Sequence, residues 1–254
     1  MTTTTATRTV PANRARQSVR HALVIARTEL RLIVRSRAVL ASATAFPLLF
    51  AAFLLAQADA ARAAAVGMIS MILAFFALFA IYITATTTLV TRRQDLFLKR
   101  LRSGEAGDVA ILSGLLVAPL VLFVAQVAVV GIALVLLDVP APAQAAWLVP
   151  AVVGLVASTL TVATATAAVT PNASAAQIST MPYLTVVLGS LVAGPMLEHA
   201  LLDLTPGGAL VTLVRSAYDL ETAGTPWLAI GGLVLWTWLG LEVTRRRFRW
   251  EPRH

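Results

Sequence analysis

Cysteine does not occur anywhere in this 254-residue chain, which excludes disulfides, thiolate metal sites and cysteine nucleophiles. Charge is scarce as well: Asp, Glu, Lys and Arg make up 13% of the residues against 58% hydrophobic, and the mean hydropathy is +0.82. A water-soluble domain must cover itself with polar side chains, so this composition makes lipid the solvent for most of the chain. The histidines are limited to His21, His199 and His254, no H-E-x-x-H motif occurs, and no serine of an apolar run has a histidine to activate it. Intramembrane hydrolysis is therefore disfavoured. The single lysine, Lys99, follows Leu98, which rules out a G-x-x-x-x-G-K-[ST] phosphate loop. The first seventeen residues lack the apolar core of a cleavable signal peptide and read as a flexible cytoplasmic tail.

What the chain does have is long uncharged apolar runs: 38–56, 63–90, 109–137, 146–169, 178–197 and 226–241. About 20 apolar residues cross a hydrocarbon core of ~30 Å, and shorter runs suffice where flanking residues snorkel. The fold class expected is an all-α membrane protein of six transmembrane helices over residues 38–243. Pro47, Pro119, Pro150, Pro182 and Pro195 fall inside the runs and predict kinks, since neighbouring groups of a bundle can satisfy the freed carbonyls. Gly131, Gly154, Gly189 and Gly194 read as points of close helix approach.

Before the first run, residues 18–37 carry apolar side chains at Val19, Ala22, Leu23, Ala26, Leu30, Ile33 and Val34, with Arg20, Arg27, Arg31 and Arg35 opposite them. That pattern predicts an amphipathic helix lying at the membrane interface, its arginines reaching the phosphate layer. The net charge of +8 is not spread over one surface, as a nucleic-acid binder requires. Eighteen of the 20 Lys and Arg fall in three blocks: before the first run, between the second and third, and after the sixth, where residues 244–254 form a basic tail. The positive-inside rule puts all three blocks, and both termini, in the cytoplasm of a bacterial plasma (inner) membrane. Trp147 and Trp227 at outer span ends and Trp250 beyond the last inner end fit interfacial belts.

No run has an ionisable residue at its centre, which argues against ion-coupled carriers and charged-ring channels. Three segments remain as carriers of function. In the loop TRRQDLFLKRLRSGEAGD, Asp95 can cap a short helix holding Leu96, Phe97, Leu98 and Leu101 beside Lys99, Arg100 and Arg102, stopped at Ser103-Gly104. Apolar knobs with a basic rim are suited to docking; a solvated loop that only fixes topology is the alternative. Between the fifth and sixth runs, Thr205 and Pro206 start a pattern at Leu210, Leu213, Val214 and Tyr218, an amphipathic external helix on the outer leaflet or over the bundle mouth. Arg215 and Asp219 are spaced to pair on it. Packing against the bundle and a lid function are both open for this helix. Thr84, Thr87, Gln126, Thr159 and Thr166 are candidates to line a weakly polar translocation route, with helix packing as the alternative.

The order of these parts resembles type 2 ATP-binding-cassette permeases, the group that includes daunorubicin-resistance-type exporters and lantibiotic-immunity permeases. The residues that carry the resemblance are the basic entry helix HALVIARTELRLIVRSRAVL, the first-span proline in Ala45-Phe46-Pro47, the loop RRQDLFLKRLRSGE and the stretch TPGGALVTLVRSAYD before the last span. The resemblance implies a coupling helix at Asp95 to Ser103 that docks on an ATPase, with ATP and Mg held by that separate subunit in two copies. No cofactor or metal site is implied on this chain, which would not itself be an enzyme. A second permease chain, identical or paralogous, is expected to face it, in contact with membrane lipid and moving a hydrophobic or amphiphilic substrate such as a drug, peptide antibiotic or lipid-linked molecule outward. Where many relatives carry a Glu and a Gly-Thr pair in the loop, this chain has Gln94-Asp95-Leu96-Phe97. A non-transporting membrane signalling or assembly protein that binds anionic lipid is the competing reading.

Overall fold

The structure, a computed structural model, describes residues 12–57, 62–94, 108–197 and 199–248. Every regular element among them is helical. Six helices are long and apolar enough to cross a membrane: Arg37–Ala56, Val66–Gln94, Ile111–Leu136, Ala145–Val169, Ala173–Leu197 and Pro226–Arg247. The architecture is that of a multi-pass membrane protein, and each span overlaps the apolar run expected to form it.

The differences lie at the ends, where polar residues continue a helix that hydropathy alone cannot follow. The fifth span starts at Ala173, five residues before the apolar run, because the Asn172 side chain accepts from the Ala175 N–H at 2.8 Å and Gln94 accepts from the Ala173 N–H at 3.0 Å. The second span runs on through Arg92, Arg93 and Gln94, and the sixth through Arg247. The entry helix begins at Ala12, so part of the segment read as a flexible tail is helical; Ala, Arg and Gln are good helix formers without an apolar stripe to reveal them.

Ser36, in extended geometry, separates the entry helix Ala12–Arg35 from the first span. The entry helix packs along the third span at Gly114, where any Cβ would come within 2.8 Å of the Ala22 carbonyl oxygen. Its apolar residues therefore divide between two surroundings. Ala26 and Ile33 are buried against the protein, while Val19, Leu23 and Val34 are exposed beside Arg20, Arg27, Arg31 and Arg35.

The second span is the centre of the bundle, with 67% of its most apolar stretch buried against 17% for the first span and 22% for the sixth. The last two are left with broad apolar faces outward, including Phe46, Leu49, Phe53, Val234 and Trp238. Two backbone irregularities mark the first and second spans. Residues Ala41–Ala45 and Ala77–Ile83 are π-helical. Side chains reach carbonyls within both: Gln126 donates to the Ala43 carbonyl at 2.6 Å, and Thr84 to the Phe79 carbonyl at 2.8 Å. Pro119, Pro182 and Pro195 lie inside continuous helices.

Of the four glycines read as close-approach points, Gly154 is one: a Cβ there would sit 2.7 Å from Leu233 of the sixth span. Gly131, Gly189 and Gly194 are corrected, having nothing within 4 Å of the Cβ position. Gly240 is a close-approach point instead, since a Cβ there would come 2.7 Å from the Thr161 backbone, so the fourth and sixth spans approach closely at two levels.

A short helix, Pro206–Ala217, follows the fifth span and a 3-10 turn at Ala200–Leu204. It is seated among the spans, with all but two of its residues buried. Gly207 makes this possible, because a Cβ there would lie 2.1 Å from the Val187 carbonyl of the fifth span. The helix ends at Ala217, before the last residue of its apolar pattern, Tyr218: Asp219 takes φ 58°, and the N–H groups of Leu220 and Asp219 bond back to the Arg215 and Ser216 carbonyls. Asp138 ends the third span in the same way, at φ 52° with Val139 N–H on the Leu134 carbonyl.

Candidate functional site

Two sets of contacts define the ends of the bundle. At one end the third-to-fourth and fifth-to-sixth connections meet: Gln144 N–H donates to the Ala217 carbonyl, and the Trp147 and Trp227 rings lie 5.4 Å apart, edge to face. The tryptophans read as one interfacial belt do share an end; Trp250 lies outside the described residues. The opposite end gathers the entry helix, the end of the second span, the end of the fourth and the start of the fifth.

That second end holds the most highly constructed polar arrangement among the described residues. Three consecutive side chains at the end of the second span each reach a different element. Arg92 forms a two-pronged ion pair with Glu29 of the entry helix, Nε to Oε1 at 2.9 Å and Nη2 to Oε2 at 3.0 Å. Arg93 donates to the Ala167 carbonyl at 3.0 Å and to the Thr170 carbonyl, both at the C-terminal end of the fourth span. Gln94 accepts from the first N–H of the fifth.

The physical chemistry of each bond is specific. The last carbonyls of a helix have no internal donors and carry the negative end of its dipole, so a guanidinium is well matched to them. Arg93 is 1% exposed, and a charge buried to that degree is tolerable only when its donors are used. Glu29 is 4% exposed and sits on the protein-facing side of the entry helix, one turn from Ala26 and Ile33. Arg92 supplies the matching fork geometry for its carboxylate.

The loop that begins at Asp95 leaves directly from this junction. The docking residues read from the sequence, Asp95, Leu96, Phe97, Leu98, Lys99, Arg100, Leu101, Arg102 and Ser103, lie outside the described residues.

The five candidate lining residues are described, and all of them are hydrogen-bonded within the bundle. Thr84 and Thr87 donate to carbonyls of their own helix, at Phe79 and Ile83. Gln126 bonds to Ala43, Thr159 shares a hydrogen bond with the Tyr183 hydroxyl at 3.3 Å, and Thr166 with the Tyr82 hydroxyl at 3.0 Å. Tyr82 and Tyr183 lie ring to ring at 4.7 Å, and Tyr183 in turn meets Trp236 of the sixth span at 5.7 Å. With Thr86 donating to the Ala163 carbonyl, these groups stitch the second, fourth, fifth and sixth spans into one girdle. A single bond of this kind contributes about 0.6 kcal/mol in a membrane protein.

In the helix after the fifth span, Leu210, Leu213, Val214 and Tyr218 are buried. Arg215 is corrected: it donates from Nε and Nη2 to the Glu221 carbonyl at 2.9 and 2.6 Å, while Asp219 accepts from Gln144. The left-handed turn at Asp219 carries its side chain away from the helix face on which the two would have paired.

Sequence reasoning missed the burial of Glu29 and Arg93 and the tyrosine pair. Glu29 had a signal, an acid on the core-facing spacing of Ala22, Ala26 and Ile33. Arg93 had none, because nothing local tells which of two adjacent arginines will find a helix end.

No family model matches the chain, and no match is found among curated proteins or solved structures.

Proposed function

We propose that this chain is the permease subunit of an ATP-driven exporter of the ATP-binding-cassette kind, working with two copies of a separate ATPase and a second permease chain, identical or paralogous. The observation that supports the reading best is the junction at Arg92, Arg93 and Gln94. A push on the loop that follows Gln94 is delivered at once to the entry helix, the fourth span and the fifth span, through charge-assisted or directed hydrogen bonds. That is the mechanical arrangement a transporter needs if work arrives at one cytoplasmic loop and must reorganise several spans.

The composition supports the same reading. Six largely neutral spans carry no ionisable side chain at their centres, which favours energy reaching the bundle from a companion over coupling to a driving ion. Eighteen of 20 basic residues lie in the segments that this reading places in the cytoplasm of a bacterial plasma membrane. The exposed Val19, Leu23 and Val34 beside exposed arginines suit the entry helix to the lipid boundary, and the outward apolar faces of the first and sixth spans are open to lipid or to the second permease chain. The cargo is a hydrophobic or amphiphilic molecule moved outward, with ATP and Mg on the companion.

The test is co-purification in a mild detergent from native membranes. An ATPase accompanies the wild-type chain and is lost from the double variant Phe97→Asp, Leu101→Asp, whose thermal unfolding matches the wild type. An ATPase that stays bound to that variant refutes the docking role.

A further inference from the structure

The connection between the Pro206–Ala217 helix and the sixth span, residues 218–225, walls one side of a cavity of about 290 Å³ at the end of the bundle opposite the junction. Glu221, Thr222 and Ala223 line the cavity from the connection, Asp203 from the 3-10 turn, and Val211 and Arg215 from the helix. The connection is tied at two points. Arg215 donates from Nε and Nη2 to the Glu221 carbonyl at 2.9 and 2.6 Å, and the Thr225 hydroxyl accepts from the Leu228 N–H of the sixth span at 3.3 Å. Between those points Gly224 lies against Asp203, where a Cβ would fall 1.6 Å from Oδ2.

Asp203 is 4% exposed; its Oδ1 shares a hydrogen bond of 2.6 Å with the Thr212 hydroxyl, and its Oδ2 is buried with no partner. A carboxylate spreads its charge over both oxygens, and a buried charged oxygen without a donor is far costlier than a neutral one. The neutral acid fits the same place. Its proton sits on Oδ1 and is given to the Thr212 oxygen, which leaves Oδ2 as a carbonyl oxygen under Gly224. Donors suited to the ionised form are present in the cavity wall. Arg215 has Nη1 beyond the two nitrogens it spends on Glu221, and His199, whose Nδ1 accepts from the Leu201 N–H at 3.2 Å, carries its proton on Nε2. Gly224 denies both donors to Oδ2 for as long as it covers that oxygen.

We propose that Asp203 is a proton-operated latch: its neutral carboxyl seats the connection through Gly224, and loss of the proton lifts the connection and opens the cavity. The freed carboxylate then turns to Arg215 and His199, so each protonation state has its own partners and the connection has two positions. Burial raises the Asp203 carboxyl above its ordinary value, with the Thr212 bond opposing the rise. A carboxyl raised in the closed form favours closure in acid and gives that up as pH climbs through the raised value. The other titratable groups facing the cavity are His199 on the same turn, Arg215 on the helix and Glu221 on the connection; Asp219 is engaged with Gln144, and the described residues of the fifth and sixth spans bring none to the wall. The latch goes beyond the exporter reading and stands whether or not that reading holds.

The chain has no cysteine of its own, so Val211→Cys, at a cavity-wall position that is 7% exposed, reports opening through its rate of reaction with a maleimide in detergent. That rate is divided at each pH by the rate of Ala143→Cys, an exposed position on the third-to-fourth connection, which removes the titration of the thiol itself. The ratio is expected to rise about tenfold or more between pH 5 and pH 8.5. With Asp203→Asn added, whose amide copies the neutral carboxyl, it stays low throughout. A flat ratio with Asp203 in place, or the same rise with Asp203→Asn, overturns the proposal. Should Asp203→Asn fail to fold, Gly224→Ala decides: its Cβ keeps the carboxyl from seating, so the ratio is high at both ends of the range, and a ratio that follows the chain with Gly224 contradicts the latch.

Discussion

The side-chain amide of Gln126 in the third span donates to the carbonyl of Ala43 in the first at 2.6 Å. Ala43 lies four residues before Pro47, whose nitrogen has no proton to return to it, so the glutamine replaces a donor the proline removed. The two residues are therefore thermodynamically coupled. Gln126→Leu lowers stability by about 1–3 kcal/mol, the usual cost of an unsatisfied buried acceptor. In a Pro47→Ala background the loss shrinks, because the backbone N–H is restored. A double-mutant cycle by denaturant unfolding in micelles measures the coupling, and strict additivity sinks the explanation.

Arg93 bonds two carbonyls at the end of the fourth span from a fully buried position. Arg93→Leu leaves both without their donor and costs about 2–4 kcal/mol. Arg93→Lys retains the charge but not the fork, and recovers only part of that loss. Thermal unfolding of the three proteins orders them wild type, Lys, Leu; equal stability of Lys and wild type contradicts the two-pronged role.

Glu29 and Arg92 form the link between the entry helix and the second span. Glu29→Gln and Arg92→Gln each destabilise the entry helix, and the exchange Glu29→Arg with Arg92→Glu restores a large part of what either reversal loses. Arg92 is 22% exposed, so solvent screening holds the coupling to about 1–2 kcal/mol. Protease sensitivity of the entry helix is the readout, and an exchange no better than the single reversals rejects the pairing.

Glycine substitutions separate close approach from open space. Gly207→Ala drives a Cβ toward the Val187 carbonyl and the Ser190 hydroxyl, at 2.1 and 2.5 Å, and costs about 1–3 kcal/mol as overpacking. Gly189→Ala, with nothing within 4 Å, is neutral or stabilises by up to about 1 kcal/mol through helix propensity. Comparable losses at the two positions would mean the short helix is not lodged against the fifth span as described.

The spans were legible in the sequence because apolar length is a one-dimensional property, and each of the six helices overlaps its run. The seat of the Pro206–Ala217 helix was not. Its pattern of Leu210, Leu213, Val214 and Tyr218 identified a helix with one apolar face, but Gly207, Gly208 and Ala209 of its first turn are buried as well, and their smallness reads as neutral until a neighbouring element is placed against them. The hydroxyls of Thr159 and Thr166 were visible as polar groups in lipid. Their partners, Tyr183 and Tyr82, are separated from them by 24 and 84 residues, a distance that no local pattern encodes. The three-way junction at Arg92, Arg93 and Gln94 was hidden for the same reason: each bond joins elements more than 60 residues apart.

The central claim is that this chain moves a substrate with energy that another polypeptide releases. ATP turnover measured on the complex from native membranes, on the chain stripped of its companion, and after the companion is added back tests it most directly. The account predicts hydrolysis in the first sample, none in the second and recovery in the third; sustained hydrolysis by the stripped chain, or no turnover in any of the three, contradicts it.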